Sequence, residues 1–227
     1  MMKKTAMMVL VLLVLTGIMK GDVLSAPAAT EPESDLSSVD VEKIAVMPFY
    51  TGKYGGVITQ NVSCNVCQLV YDPKGLDPNA DYFLTNYCEE ALKKRFGQKV
   101  VPLRESTEAY NQIPKDELKD TIQSRAQNLG RELHANLIVT GNVWRYRDRV
   151  GGSRGVESPA SVAFAIYLVE VDSGKLLWKS AFSETQKPLS ENVLDARSFF
   201  KQGAKWLTAS ELAQYGVNEV FEKFPLK

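Results

Sequence analysis

Gly130-Arg131-Glu132-Leu133-His134-Ala135-Asn136-Leu137-Ile138-Val139-Thr140-Gly141-Asn142-Val143 carries the end of a helix directly into a strand. Upstream, Leu118, Ile122, Ala126, Leu129 and Leu133 recur at helical spacing, which predicts an amphipathic helix from Lys115 to about Leu133. From Asn136 to Trp144 the chain is almost continuously apolar and β-branched, the pattern of a strand covered on both faces. Gly141 inside that strand marks a bulge or a close approach of another group. A helix feeding a strand buried on both sides calls for helices layered on a sheet.

The flanking sequence extends this pattern in both directions. Ser161–Val171 and Lys175–Ser183 are apolar, β-branched and aromatic, and Asp172-Ser173-Gly174 joins them with glycine where a tight hairpin needs positive φ. Trp178 in the second arm is expected to be a large buried ring. Thr208-Ala209-Ser210-Glu211 is a capping box, with Leu207 and Leu212 placed as a hydrophobic staple, so a last helix starts there and stops before Pro225. Toward the amino terminus, Lys43–Tyr50 reads as a buried strand, and residues 81–96 place Leu84, Cys88 and Leu92 on one helical stripe. Lys99–Leu103 reads as another short strand. The expected fold is α/β: a mixed-sheet layered sandwich of about five strands with flanking helices. It forms a single domain over 43–227, with a cysteine-containing insertion at 51–80 rich in Gly, Asn, Asp and Pro.

Residues 1–28 read as a secretory signal peptide. Lys3 and Lys4 form the positive region, Ala6–Leu15 opens an apolar run too short to span a bilayer, and Ala26-Pro27-Ala28 supplies small residues for cleavage after Ala28. The alternative is a leader retained as an anchor. Residues 29–42 are acidic and poor in apolar side chains, and are expected to form a flexible linker. Three lysines and one aspartate leave with the leader, so a formal charge of zero becomes −2 over 199 residues. A near-neutral chain gives no electrostatic case for nucleic acid. No cysteine closely follows the apolar run, the first being Cys64, so bacterial lipid attachment is not expected. The chain is expected in the periplasm or at the outer membrane, with no span after the leader and peripheral membrane association possible.

An exported chain meets oxidising conditions, so Cys64, Cys67 and Cys88 are disulfide candidates, with Cys64–Cys67 first and Cys88 alternatively buried on its helix. A c-type haem site would need histidine where Gln68 stands, and three cysteines with one distant histidine do not supply a structural zinc site. A thioredoxin-type motif belongs at a strand-to-helix junction, whereas Cys64-Asn65-Val66-Cys67 lies in a loop-like stretch. No metal and no cofactor are expected.

Three segments together resemble a known group. Ile44–Phe49, Gly130–Val143 and Leu168–Trp178 are similar, in that order, to landmarks of the curli-secretion lipoprotein CsgG, the amino-terminal domain of TolB, and penicillin-binding-protein activator lipoproteins. The resemblance implies a small mixed-sheet α/β sandwich used for protein contacts in envelope assembly or export. The chain departs from that group in its 51–80 insertion, and it has neither the long amphipathic strands of the curli pore nor propeller repeats.

Catalytic candidates are few. His134, the sole histidine, has no nucleophile motif beside it and sits where a helix-end histidine complements the dipole. Glu184 and Glu191 flank a polar stretch that reads as a turn. Arg145, Arg147, Arg149 and Arg154, interspersed with Gly151, Gly152 and Gly155, form the candidate partner-binding loop. The same arginines could instead be solvated edge charges or hold a small anion. The expected function is non-enzymatic: protein–protein contacts in envelope assembly, secretion or cell-wall regulation. Alternatives are a thiol/disulfide protein using Cys64–Cys67, and a small-anion module at Arg145–Arg154.

Overall fold

The computed structural model describes residues 36, 39–54, 57–58, 62–64, 69–72, 76–116, 120–153, 155–187 and 205–227. Residues 34–227 form one compact unit. Residues 1–28, expected to be a leader cleaved after Ala28, lie outside the described residues, as do Cys67, Arg154 and Glu191. Among the described residues, no helix is long and apolar enough to cross a membrane.

The fold is α/β, centred on a mixed four-stranded sheet whose strands lie side by side in the order Ile44–Val46 (β1), Leu137–Arg147 (β6), Ser161–Glu170 (β9) and Leu176–Thr185 (β10). β1 runs parallel to β6. β6 pairs antiparallel with β9, which pairs antiparallel with the edge strand β10. Three two-stranded ribbons accompany it: β2 (Lys53–Tyr54) with β3 (Val57–Ile58), β4 (Val62–Cys64) with β5 (Leu69–Tyr71), and β7 (Val150–Gly151) with β8 (Val156–Ser158).

Helices cover both faces. α1 (Ala80–Phe96) and α4 (Ala209–Glu222) pack on one face, where Leu84, Cys88 and Leu92 meet Val139, Phe164 and Leu212. α3 (Ile122–Leu133) packs on the other, with α2 (Leu103–Gln112) beside it, burying Ala126, Leu129 and Leu133 against Ala45, Ile138 and Val169. β6 and β9 are therefore buried on both sides, which their apolar runs required.

Gly141 is the close approach its position implied. A Cβ there would fall 2.1 Å from Phe49 Cε1 and 2.5 Å from the Ala165 carbonyl oxygen. Phe49 lies over β6 at that point, and its backbone N–H donates to Thr85 Oγ1 (3.1 Å), tying β1 to α1. The β9–β10 turn closes on Gly174 at φ 69°. α4 begins with the expected reciprocal cap between Thr208 and Glu211.

The structure corrects four expectations. Lys99–Leu103 is not a strand: Val100 makes one bridge to Ile44, Val101 N–H donates to the Ile44 carbonyl, and Pro102 then supplies no donor. Leu103 opens α2 instead, and the Glu89 carboxylate accepts its free N–H at 2.6 Å. The main sheet therefore has four strands. The helix expected from Lys115 starts at Ile122, because Thr121 and Ser124 cap one another there. Trp178 is half-buried, its ring edge against Phe224 at 5.1 Å, since β10 is an edge strand. Core packing begins before residue 43. Val41 is buried, and Asn136 accepts from the N–H groups of Glu42 and Lys43 while donating to the Asp40 carbonyl.

Gly141→Ala should lower stability by about 1–3 kcal/mol, because Phe49 and the β9 backbone leave no room for the methyl group. Gly155→Ala, where an added Cβ meets nothing within 4 Å, should stay within roughly 0.5 kcal/mol of the wild type. Urea denaturation midpoints check both, and equal midpoints for the two variants would exclude the tight contact.

Candidate functional site

The arginine-rich stretch forms the far end of β6, and the sheet decides what each side chain does there. A register shift between Val143 and Arg145 leaves Trp144 as the extra residue of a bulge. Tyr146 thereby turns into the core, where its ring stacks on Phe83 at 6.1 Å. Its backbone carbonyl accepts from Asp77 N–H, just ahead of α1. Burial pushes the Tyr146 phenol well above its ordinary value, and the nearby Tyr87 and Asp77 add to this.

Arg145 points to the opposite face. Its Nη2 donates to Ser183 Oγ on β10 at 2.9 Å, while Nε is buried without a partner. Partial burial, with Arg147 close by, lowers its pKa. Arg147 is exposed, and no hydrogen bond or ion pair engages its side chain among the described residues.

The next two residues have structural roles. Asp148 Oδ1 accepts from the N–H groups of Arg149 (2.8 Å) and Ala209 (2.9 Å), which satisfies a donor in the first turn of α4. Arg149 donates to the Trp206 carbonyl. Lys205 and Glu211 pair at 2.7 Å beside this junction. The basic loop is thus divided: Arg149 holds the approach to α4, and Arg147 is unengaged among the described residues. Beyond it, the β7–β8 hairpin carries Val150, 54% exposed.

A second feature at the same end has no counterpart in the sequence reading. α1 and α2 enclose a cleft of about 480 Å³ lined by Pro48, Asp81, Tyr82, Leu103, Arg104 and Glu108, among others. Tyr82 is 64% exposed. The available signal was an aromatic residue off the Leu84–Cys88–Leu92 stripe, on the polar side of α1.

The remaining candidates are dispersed. His134 is exposed and caps α3 in the left-handed conformation, φ 51°, with its N–H donating to the Arg131 and Gly130 carbonyls. Glu184 lies on β10. Cys88 is a free, fully buried thiol, not a disulfide partner, and burial raises its pKa. Cys64 ends β4 opposite Leu69. The described residues contain no group of three or more His, Cys, Asp or Glu placed to hold a metal ion.

No family model matches the chain, and no curated protein matches its sequence. Solved structures give remote likenesses. The PelC dodecamer from Paraburkholderia phytofirmans is 13% identical, covers 82% of this chain and 89% of its own, and has a TM-score of 0.44. The LpoB C-terminal domain from Salmonella enterica is 17% identical over 66% of this chain and 90% of its own, at 0.37. Lipoprotein GNA1162 from Neisseria meningitidis is 15% identical over 72% of this chain and 96% of its own, at 0.40. At these values the fold stands on the chain's own strands and helices.

The Glu211 carboxylate is held below its ordinary value, first by the Lys205 hydrogen bond and then by Thr208 N–H. A depressed folded-state pKa adds stability above the unfolded value, and that stability is lost as pH falls through the folded one. Thermal unfolding should therefore show wild type above Glu211→Gln at neutral pH, with the gap closing under acid conditions. A gap that widens with acid would contradict this sign.

Proposed function

We propose that this chain is a non-enzymatic protein of the bacterial cell envelope, making protein–protein contacts in assembly, secretion or cell-wall regulation. Its place is the periplasm or the periplasmic side of the outer membrane, supported by the reading of residues 1–28 as an export leader. Kinship with the curli-secretion-lipoprotein-like group belongs to the same proposal. The three sequence landmarks that suggested it fall on β1, on the α3-to-β6 passage, and on the β9–β10 hairpin.

One observation carries the contact role. Tyr82, Arg147 and Val150 are each exposed, and Tyr82 and Arg147 are the chain neighbours of Phe83 and Tyr146, which stack at the far end of β6 where Asp77 N–H also meets the Tyr146 carbonyl. Arginine and aromatic side chains are favoured at protein interfaces. Arg145 and Arg147 are the contact residues of the basic stretch.

The test is capture from envelope extract by the full chain. Replacing Arg145 and Arg147 with alanine should reduce partner recovery about tenfold. Lys175→Ala, at the β9–β10 turn on the opposite end, should leave recovery unchanged. Equal recovery by all three proteins would overturn the role of this end.

A further inference from the structure

Two of the three exposed large apolar side chains among the described residues, Tyr82 and Val150, have different electrostatic settings. Tyr82 stands at the α1–α2 cleft, whose lining includes the carboxylates of Asp81 and Glu108. Arg104 approaches Glu108 only to 3.9 Å, and its side chain is 90% exposed. Val150 projects from the β7–β8 hairpin just after Arg147, whose guanidinium is unengaged among the described residues. One feature is a largely apolar cleft that two acidic residues, Asp81 and Glu108, and one basic residue, Arg104, help to line; the other is an exposed valine that follows a positive charge.

Both lie at the same end of the fold. Pro48 follows β1 into the cleft, and parallel pairing brings the carboxyl end of β1 alongside β6 as it continues toward Arg147. Phe83, next to Tyr82, stacks on Tyr146, next to Arg147. A surface holding a cleft and its electrostatic complement is self-complementary, as a twofold interface requires, because each contact is then made twice. A cleft of about 480 Å³ has room for a valine side chain and for the apolar stem of an arginine whose charged head stays at the rim.

We infer that a second copy of this chain docks here: its β7–β8 hairpin brings Val150 and Arg147 to the cleft beside Tyr82, Asp81 and Glu108, and its own cleft receives the same elements in return. The inference rests on the contact role proposed for this end and names one partner for it. The surface charges set orientation and salt sensitivity, while Val150 and Tyr82 supply the apolar burial.

Sedimentation velocity of the full chain over a concentration series tests this. The expected result is a monomer–dimer equilibrium that weakens with added salt. Arg147→Glu and Asp81→Lys should each weaken the dimer about tenfold, and the two together should recover most of the loss by exchanging the charges. Tyr82→Ser should weaken it without changing the salt dependence. Urea midpoints matching the wild type establish that each variant is folded. A monomer at every concentration, a dimer indifferent to all these changes, or open assemblies larger than a dimer would overturn the inference. A chain that stays monomeric yet captures an envelope protein through Arg145 and Arg147 overturns only this inference. The charge-sensitive dimer without any such capture sustains it while removing the envelope partner.

Discussion

Phe49 seated over Gly141 is the contact on which the arrangement depends. It brings the segment after β1 against β6 more closely than any side chain at position 141 would allow, and the Phe49 N–H reaches Thr85 on α1. Strand, strand and helix are thereby fixed around one missing Cβ. Tyr50 extends the pairing, exchanging backbone hydrogen bonds with Gly141 and Val143. β6 in turn pairs with β9 along nearly its whole length, in one register from Leu137 to Val143 and, past the bulge at Trp144, in a shifted one from Arg145 to Arg147. Close packing of this kind tolerates little change in volume, which makes the sheet a stiff base for whatever its ends carry.

The stiffness has a consequence at the far end of β6. The bulge at Trp144 turns Tyr146 inward and leaves Arg145 on the opposite face. Asp148 and Arg149 then join the strand end to the start of α4, so the β7–β8 hairpin springs from a base held by two elements. Chemistry that looked uniform in sequence is divided by position: Arg149 serves the fold, and Arg147 faces solvent. A contact surface gains from such a base, because groups already in place lose less freedom on binding.

The parts legible in the sequence were those decided locally. The Thr208–Glu211 cap, the Gly174 turn, the α3-to-β6 passage and the buried character of β6 and β9 each depend on residues close in the chain. Cys88 sat on an apolar helical stripe, which left it open between burial and a disulfide, and it lies in the core as a free thiol. The misread parts were decided at a distance. Leu103 starts a helix because Glu89, fourteen residues earlier, accepts its N–H. The segment ahead of β1 is gripped by Asn136, more than ninety residues further on. Trp178 is half-buried because of strand order, which no window of sequence contains. The α1–α2 cleft arises from two helices meeting, so only the off-stripe position of Tyr82 hinted at it.

The central claim is that a rigid β6–β9 frame presents its Arg147 end for protein contacts. Amide hydrogen exchange on the full chain, alone and with the protein it captures, tests both halves at once. The free chain should exchange slowest at Leu137–Val143 and Val162–Val169, with residues 147–158 much faster. Binding should add protection at 79–86 and 145–158. Protection that falls instead on α3 or on the β9–β10 turn, leaving those segments unchanged, would contradict the claim.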